Sequence, residues 1–168
     1  MTAAKTLQFD HRGNLTPGII KNISLDEFKA FFIDSFAHSR TRERNYKGLF
    51  RFIEEMKNKN ISNAVTKIWI DGSFVTNKTD PNDIDMVYFL DANHPGSSIA
   101  LKNVPYFRTY GEKVHCDSYM SIDPTTIPPG EAADFAHFRQ QEKYWLGEFC
   151  FDRNLDSKGI IELTINQF

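Results

Sequence analysis

Two carboxylates, Asp83 and Asp85, stand on either side of Ile84 at the start of an apolar run. Residues two apart in an extended strand point to the same side, so this spacing places both carboxylates on one face. Neighbouring carboxylates repel each other unless a cation lies between them, and hard divalent cations prefer oxygen ligands. The spacing therefore predicts that Asp83 and Asp85 hold Mg²⁺ or Mn²⁺.

A Gly-Ser pair, Gly72 and Ser73, precedes these carboxylates by about ten residues. A glycine lets the backbone approach a phosphate group closely, and a serine offers both a hydroxyl and an amide N–H to it. A Gly-Ser pair is also common in ordinary turns. Its position before the Asp-x-Asp spacing is what favours a catalytic role over a purely structural one. We expect Gly72 and Ser73 to contact the phosphates of a nucleotide beside the metal.

A third carboxylate, Asp117, lies inside a predicted strand, where a charge has little structural purpose. In two-metal catalysis one ion activates the attacking hydroxyl and the other holds the triphosphate and stabilises the leaving pyrophosphate. We expect Asp117 to hold the ion that binds the nucleophile, with Asp83 and Asp85 bridging both ions. All three residues are therefore predicted to be catalytic as well as metal-binding.

The elements around these residues alternate between helical and strand periodicity. A capping box at Ser24 and Glu27 starts an amphipathic helix that is expected to end near Phe36. Further helices are predicted over 41–59 and 131–145, and strands over 66–70, 84–90, 114–122 and 159–165. The pattern indicates a mixed α+β fold with a small mixed sheet flanked by helices. Residues 7–20 carry turn chemistry and are predicted to form a hairpin or arm.

Length and composition limit the classes that remain. The 168 residues fit a single domain, 1–168, with an N-terminal arm over 1–23 and the catalytic motif over 65–122. A formal charge of −2 argues against a protein that wraps nucleic acid electrostatically. Two cysteines are too few for a disulfide framework or a four-ligand zinc site. Without an apolar segment in residues 1–12, we expect a cytoplasmic protein with no membrane partner.

The order Gly72-Ser73, Asp83-x-Asp85, Asp117 resembles the nucleotidyltransferase superfamily built on the DNA polymerase beta-like catalytic fold. That resemblance covers about residues 65–122. Outside it, segments near 9–13, 69–74, 144–145, 152–153 and 158–160 look like a group of small, uncharacterised bacterial nucleotidyltransferase-like proteins. This second likeness implies the polymerase beta-like fold over the full chain and assigns no substrate.

The resemblance implies metal-dependent transfer of a nucleoside monophosphate from an NTP such as ATP to a hydroxyl of an RNA end, a protein or a small molecule. It also suggests a toxin–antitoxin or phage-defence role, with a possible partner protein. Small members commonly follow Gly-Ser with Arg-Gly, whereas residues 74–77 here are Phe-Val-Thr-Asn. Lys78 is the nearest cation that could replace the arginine at the triphosphate, and Lys113 and Lys158 are others.

Two other functional classes stay open. The chain could be a catalytically silent binding module, for example the antitoxin-like partner of a second protein, or an unrelated phosphoesterase that uses the carboxylates to bind metal and water. Several further residues are expected to have structural roles. They are Asp71 in the turn, Lys158 on the surface, Arg42 on a solvated helix face, His115 beside a neighbouring strand, and Tyr144 and Trp145 in the core. For Tyr144 and Trp145, stacking on a base stays open as an alternative.

Overall fold

The computed structural model describes residues 7–168, which form five α-helices and a five-stranded sheet. The elements in chain order are β1 (Gly18–Ile20), α1 (Leu25–Phe32), α2 (Arg42–Asn58), β2 (Val65–Asp71), β3 (Ile84–Leu90), α3 (Pro95–Lys102), α4 (Val104–Lys113), β4 (Cys116–Ile122), α5 (Ala132–Phe149) and β5 (Gly159–Leu163). The mixed α+β class predicted from the sequence is confirmed.

The sheet has the strand order β1-β5-β2-β3-β4. Strand β2 pairs antiparallel with β3 and with β5, while β1 pairs parallel with β5 and β4 pairs parallel with β3. A parallel pair needs a crossover, and α3 and α4 provide it between β3 and β4. This crossover brings the end of β3 that carries Asp85 beside the matching end of β4.

Alternation along the strands divides the interior into two layers. Ile84, Met86 and Tyr88 of β3 belong to the larger core, which packs against α1, α2 and α4. Val87 and Phe89 belong to a smaller core with residues of α5. The polar edge residues of the strands that share the second face therefore lie on the α5 side of the sheet.

Most predicted elements are present with shifted ends. Strand β3 has the predicted bounds, and the capping box at Ser24 forms. Helix α1 ends at Phe32 because a separate 3₁₀ turn, Asp34–Phe36, follows it. Strand β4 begins two residues later than predicted, because α4 runs to Lys113 and His115 has a positive φ of 62°. Helix α5 continues four residues past its predicted end, and β5 ends two residues early.

Two helices, α3 and α4, were not predicted. Each has proline in its first turn, where the missing N–H has no helical partner to lose. The predicted arm is a turn closed by a bridge between Phe9 and Leu15, followed by β1. Residues 1–6 of that arm lie outside the described residues. In residues 7–168 no helix has the length and apolarity that crossing a bilayer requires.

The predicted solvated position of Arg42 is wrong, because its side chain is 1% exposed. Its guanidinium lies 3.7 Å from the centre of the Phe36 ring. It also donates hydrogen bonds to four backbone carbonyls, those of Phe32, Phe74, Thr76 and Lys78. Burial lowers the pKa of Arg42 to about 10, so the group is still charged at neutral pH. Three of the four carbonyls belong to the loop after Gly72, so Arg42 ties that loop to α1 and α2.

Replacing Arg42 with lysine should lower the free energy of unfolding by about 3 kcal/mol or more, because an ammonium cannot reach four carbonyls and leaves buried acceptors unpaired. Urea unfolding followed by circular dichroism measures the change. Arg51→Lys, an exposed position on the same helix, is the matched control and should stay within about 0.5 kcal/mol of wild type. Equal stability of the two variants would contradict this role for Arg42.

Candidate active site

Strand register places three carboxylates side by side. Asp71 of β2 is paired with Asp85 of β3, and Asp85 is paired with Asp117 of β4. All three lie on the α5 side, because the residues before them in their strands belong to the larger core. We call Asp71, Asp85 and Asp117 the carboxylate row. It crosses three neighbouring strands at one end of the sheet.

Asp83 immediately precedes β3, lines a cleft together with Asp117 and lies close enough to Asp85 to repel its carboxylate. The structure thus brings together the three predicted acids, Asp83, Asp85 and Asp117. The fourth acid, Asp71, was assigned to a turn, and that prediction is wrong because it is the last residue of β2. Only knowledge of the strand pairing could have placed Asp71 next to Asp85, since the two are fourteen residues apart in a chain with a long intervening loop.

The row is electrostatically crowded at Asp85. Burial, followed by repulsion from Asp83, Asp71 and Asp117, raises the pKa of the Asp85 carboxyl to about 6. Lys158 acts in the opposite direction but does not cancel these effects. Protein cations therefore leave a deficit of positive charge at Asp85, which is the condition that favours binding of an external cation.

Lys158 neutralises the β2 end of the row. Its ammonium lies 2.8 Å from Oδ1 of Asp71, and the residue is only 8% exposed. The predicted surface position of Lys158 is therefore wrong. Burial raises the pKa of Asp71, and the attraction of Lys158 opposes that rise. A buried charge is costly without a partner, so Lys158 is the counter-ion that lets Asp71 occupy this position.

The Asp85 carboxylate leaves no room for a side chain at position 72. The φ of 77° and ψ of −165° of Gly72 lie in a region that is essentially restricted to glycine. A Cβ at this position would lie 1.6 Å from Oδ2 of Asp85. The missing side chain therefore makes room for the Asp85 carboxylate as well as for any phosphate. Ser73 follows at the start of a 3₁₀ turn, Ser73–Val75, and its carbonyl accepts a hydrogen bond from the Thr76 hydroxyl.

Asp117 faces a charged cleft at the β4 end of the row. The Tyr119 hydroxyl donates to its Oδ2 at 3.0 Å, and a guanidinium nitrogen of Arg108 lies 3.6 Å from its Oδ1. The charged cleft has a volume of about 420 Å³ and is lined by Asn82, Asp83, Arg108, Glu112, His115, Cys116 and Asp117. His115 thus belongs to the site and not to a strand interior, and burial lowers its pKa. Arg108 was not singled out by its sequence context.

A second cleft, the aromatic cleft, lies between α5 and the β2 and β3 members of the row. Its volume is about 280 Å³, and its lining consists of Asp71, Asp85, Tyr119, Tyr144, Trp145, Glu148 and Phe149. Tyr144 is 57% exposed and Trp145 is half-buried, so the prediction that both belong to the core is wrong for Tyr144 and only half right for Trp145. The two clefts therefore contain different members of the row and differ in chemistry.

Lys78 lines neither of these two clefts. It is exposed in the loop before β3, and its carbonyl accepts two hydrogen bonds from Arg42. Arg108 occupies the charged cleft instead, and Lys158 lies at the row. Within residues 7–168, Arg108 and Lys158 are the residues that form ion pairs with carboxylates of the row.

The donor chemistry of the site fits a hard divalent cation. Carboxylate oxygens are the ligands that Mg²⁺ and Mn²⁺ prefer, and those of Asp83, Asp85 and Asp117 are the candidates. In the part of the chain that the structure describes, no three His, Cys, Asp or Glu side chains are gathered into a group that could hold a metal ion. Binding would require these carboxylates to turn toward one another.

Repulsion in the row should make stability depend on pH. The native state holds the Asp85 proton up to a pKa of about 6, well above the ordinary aspartate pKa of 3.8, so native stability falls as pH rises between these two values. Asp85→Asn removes the charge and should be more stable than wild type at pH 7.5 by roughly 1–3 kcal/mol without divalent ions. The two variants should converge below about pH 4. Urea unfolding across this pH range measures the difference.

Glu54→Gln, an exposed change on α2, is the matched control and should follow the wild-type curve at every pH. A constant difference between Asp85→Asn and wild type at all pH values would show that Asp85 does not titrate as the row requires.

Comparison with known proteins identifies a family. A model described as a family of unknown function, DUF6932, matches residues 7–164. No curated protein and no solved structure matches the chain. The matched range contains the whole carboxylate row, Lys158 and both clefts. The chain belongs to the DUF6932 family.

Proposed function

We propose that this protein is a metal-dependent nucleotidyltransferase that transfers a nucleoside monophosphate from an NTP to a hydroxyl acceptor. The observation that carries the proposal is the alignment of Asp85 and Asp117 on paired strands, with the Gly72-Ser73 turn against Asp85 and with Asp83 lining the same cleft as Asp117. A structural sheet has no need for so many carboxylates on one face, because like charges on paired strands destabilise it. Binding of a divalent cation would offset that cost in stability.

The positions of the site residues indicate which part of the reaction each would serve. Ser73 and the backbone around Gly72 lie at the β2 side and would contact the triphosphate. Asp117 lies two strands away and lines the charged cleft, which has room for a polar acceptor. Asp85 lies between them and also lines the aromatic cleft. Donor and acceptor would thus meet at Asp85 from opposite sides of the row.

Mg²⁺ or Mn²⁺, when bound, would lower the pKa of the acceptor hydroxyl and stabilise charge on the triphosphate. Asp83, Asp85 and Asp117 would hold the ions. In the reaction the acceptor oxygen forms a bond to the α-phosphorus, the bond to the β-phosphate breaks, the hydroxyl proton is lost to water and pyrophosphate leaves. Arg108, beside Asp117, donates to the Tyr119 hydroxyl and can hydrogen-bond an acceptor through its other guanidinium N–H groups.

Incubation with each α-labelled NTP, a divalent ion and separate pools of tRNA, protein and small hydroxyl compounds tests the proposal. We expect label to pass to one pool with release of pyrophosphate. Asp83→Asn and Asp85→Asn should lose NTP binding and transfer together, because both ions lose a ligand. Asp117→Asn should keep much of its NTP affinity and lose transfer by at least a hundredfold.

Asp134→Asn, an exposed change near the start of α5, is the matched control and should behave as wild type. Release of γ-phosphate without transfer would indicate a phosphoesterase. A folded protein that binds a protein partner but neither NTP nor metal would indicate a silent binding module. Full transfer activity in Asp117→Asn would remove that residue from the site.

A further inference from the structure

We infer that the aromatic cleft binds the base of the donor nucleotide, by stacking on Tyr144 and Trp145 of α5. The inference rests on the proposed function and goes beyond it by assigning a base-binding site to residues outside the catalytic motif. The aromatic cleft shares Asp85 with the carboxylate row. A nucleotide whose phosphates lie at Gly72 and Ser73 can therefore extend into it.

The two tryptophans of the chain differ in burial and in hydrogen bonding. Trp69 is buried at 2% exposure, and its indole N–H donates to Glu162 at 2.9 Å. Trp145 is half-buried, and within residues 7–168 its indole N–H has no hydrogen-bond acceptor. Buried indole groups normally find a partner. Trp69 is thus a structural residue, whereas Trp145 keeps both ring surface and a donor at the cleft.

Neighbouring rings hold Trp145 in place. Its ring centre lies 4.7 Å from Tyr119 on β4, 5.5 Å from Phe149 and 5.2 Å from Tyr144. Tyr119 and Phe149 support it from the sheet and the next helical turn, while Tyr144 is 57% exposed. A stacking surface supported in this way loses little conformational freedom when a planar ligand binds.

The charge of the cleft favours a neutral base over a cationic ligand once the catalytic site is loaded. Three carboxylates line it, those of Asp71, Asp85 and Glu148. Lys158 already pairs with Asp71, and a divalent ion would neutralise Asp85. Glu148 is then the one lining carboxylate still without a cation. An ionised carboxylate only accepts hydrogen bonds, so it favours a base with adjacent N–H donors. Guanine presents two such donors on its Watson–Crick edge, and we expect GTP to bind most tightly.

Tryptophan fluorescence and calorimetry with intact protein test this assignment. In the presence of Mg²⁺, GTP should quench wild-type emission, whereas inorganic tripolyphosphate should bind without quenching. Trp145→Phe retains Trp69 and should lose the quenching. Tyr144→Ala should weaken GTP about tenfold or more, the range expected for loss of one stacking partner, and leave tripolyphosphate affinity unchanged. Glu148→Gln should reduce the preference for GTP over ATP.

Phe135→Ala is the matched control, because Phe135 is a 46% exposed ring on the same helix that does not line the cleft. It should bind GTP as wild type does. If GTP and tripolyphosphate bind equally and Tyr144→Ala changes neither, the base-binding inference is overturned while the proposed function stands. If neither ligand binds wild type, both are overturned. Quenching by choline but not by GTP would assign the cleft to a cationic ligand and overturn the inference.

Discussion

Repulsion between carboxylates on hydrogen-bonded neighbouring strands is the constraint around which this end of the sheet is organised. The pairing of β2, β3 and β4 fixes Asp71, Asp85 and Asp117 in one row, so their Cα atoms cannot separate without breaking the sheet. Two features reduce the cost of the row to the stability of the fold. Lys158 neutralises Asp71, and Gly72 leaves room for the Asp85 carboxylate. Asp85 itself keeps an unbalanced charge, and this imbalance is what a divalent cation would relieve.

The rest of the fold positions this row and leaves both of its sides open. The crossover through α3 and α4 sets β4 parallel to β3 and contributes Arg108 and Glu112 to the charged cleft. Helix α5 covers the second face of the sheet and ends with its aromatic residues beside Asp85. Arg42 secures the loop that joins the Gly72-Ser73 turn to β3. Stability and site geometry thus depend on the same contacts.

Sequence patterns predicted what depends on neighbours along the chain. The bounds of β3 and the position of Asp85 on the face opposite Ile84 follow from alternation along the strand. The two helices within residues 95–113 were not predicted, because proline in the first turn of each, followed by glycine in α3, resembles loop chemistry. The site roles of Asp71, Lys158 and Arg108 depend on strand register and on contacts between distant segments. No pattern along the chain records these contacts. In the sequence, a buried lysine before a glycine cannot be distinguished from an exposed lysine.

The most direct test of a cation-binding carboxylate row is an anomalous difference map from crystals of the wild-type protein grown with Mn²⁺ and a non-hydrolysable NTP analogue. We expect an anomalous peak within coordination distance of Asp85, with Asp83 or Asp117 as a second protein ligand. A phosphate oxygen of the analogue should contact the same Mn²⁺ ion. A map with ordered side chains at the row, no Mn²⁺ peak there and the analogue bound elsewhere or absent would contradict the cation-binding role of the row.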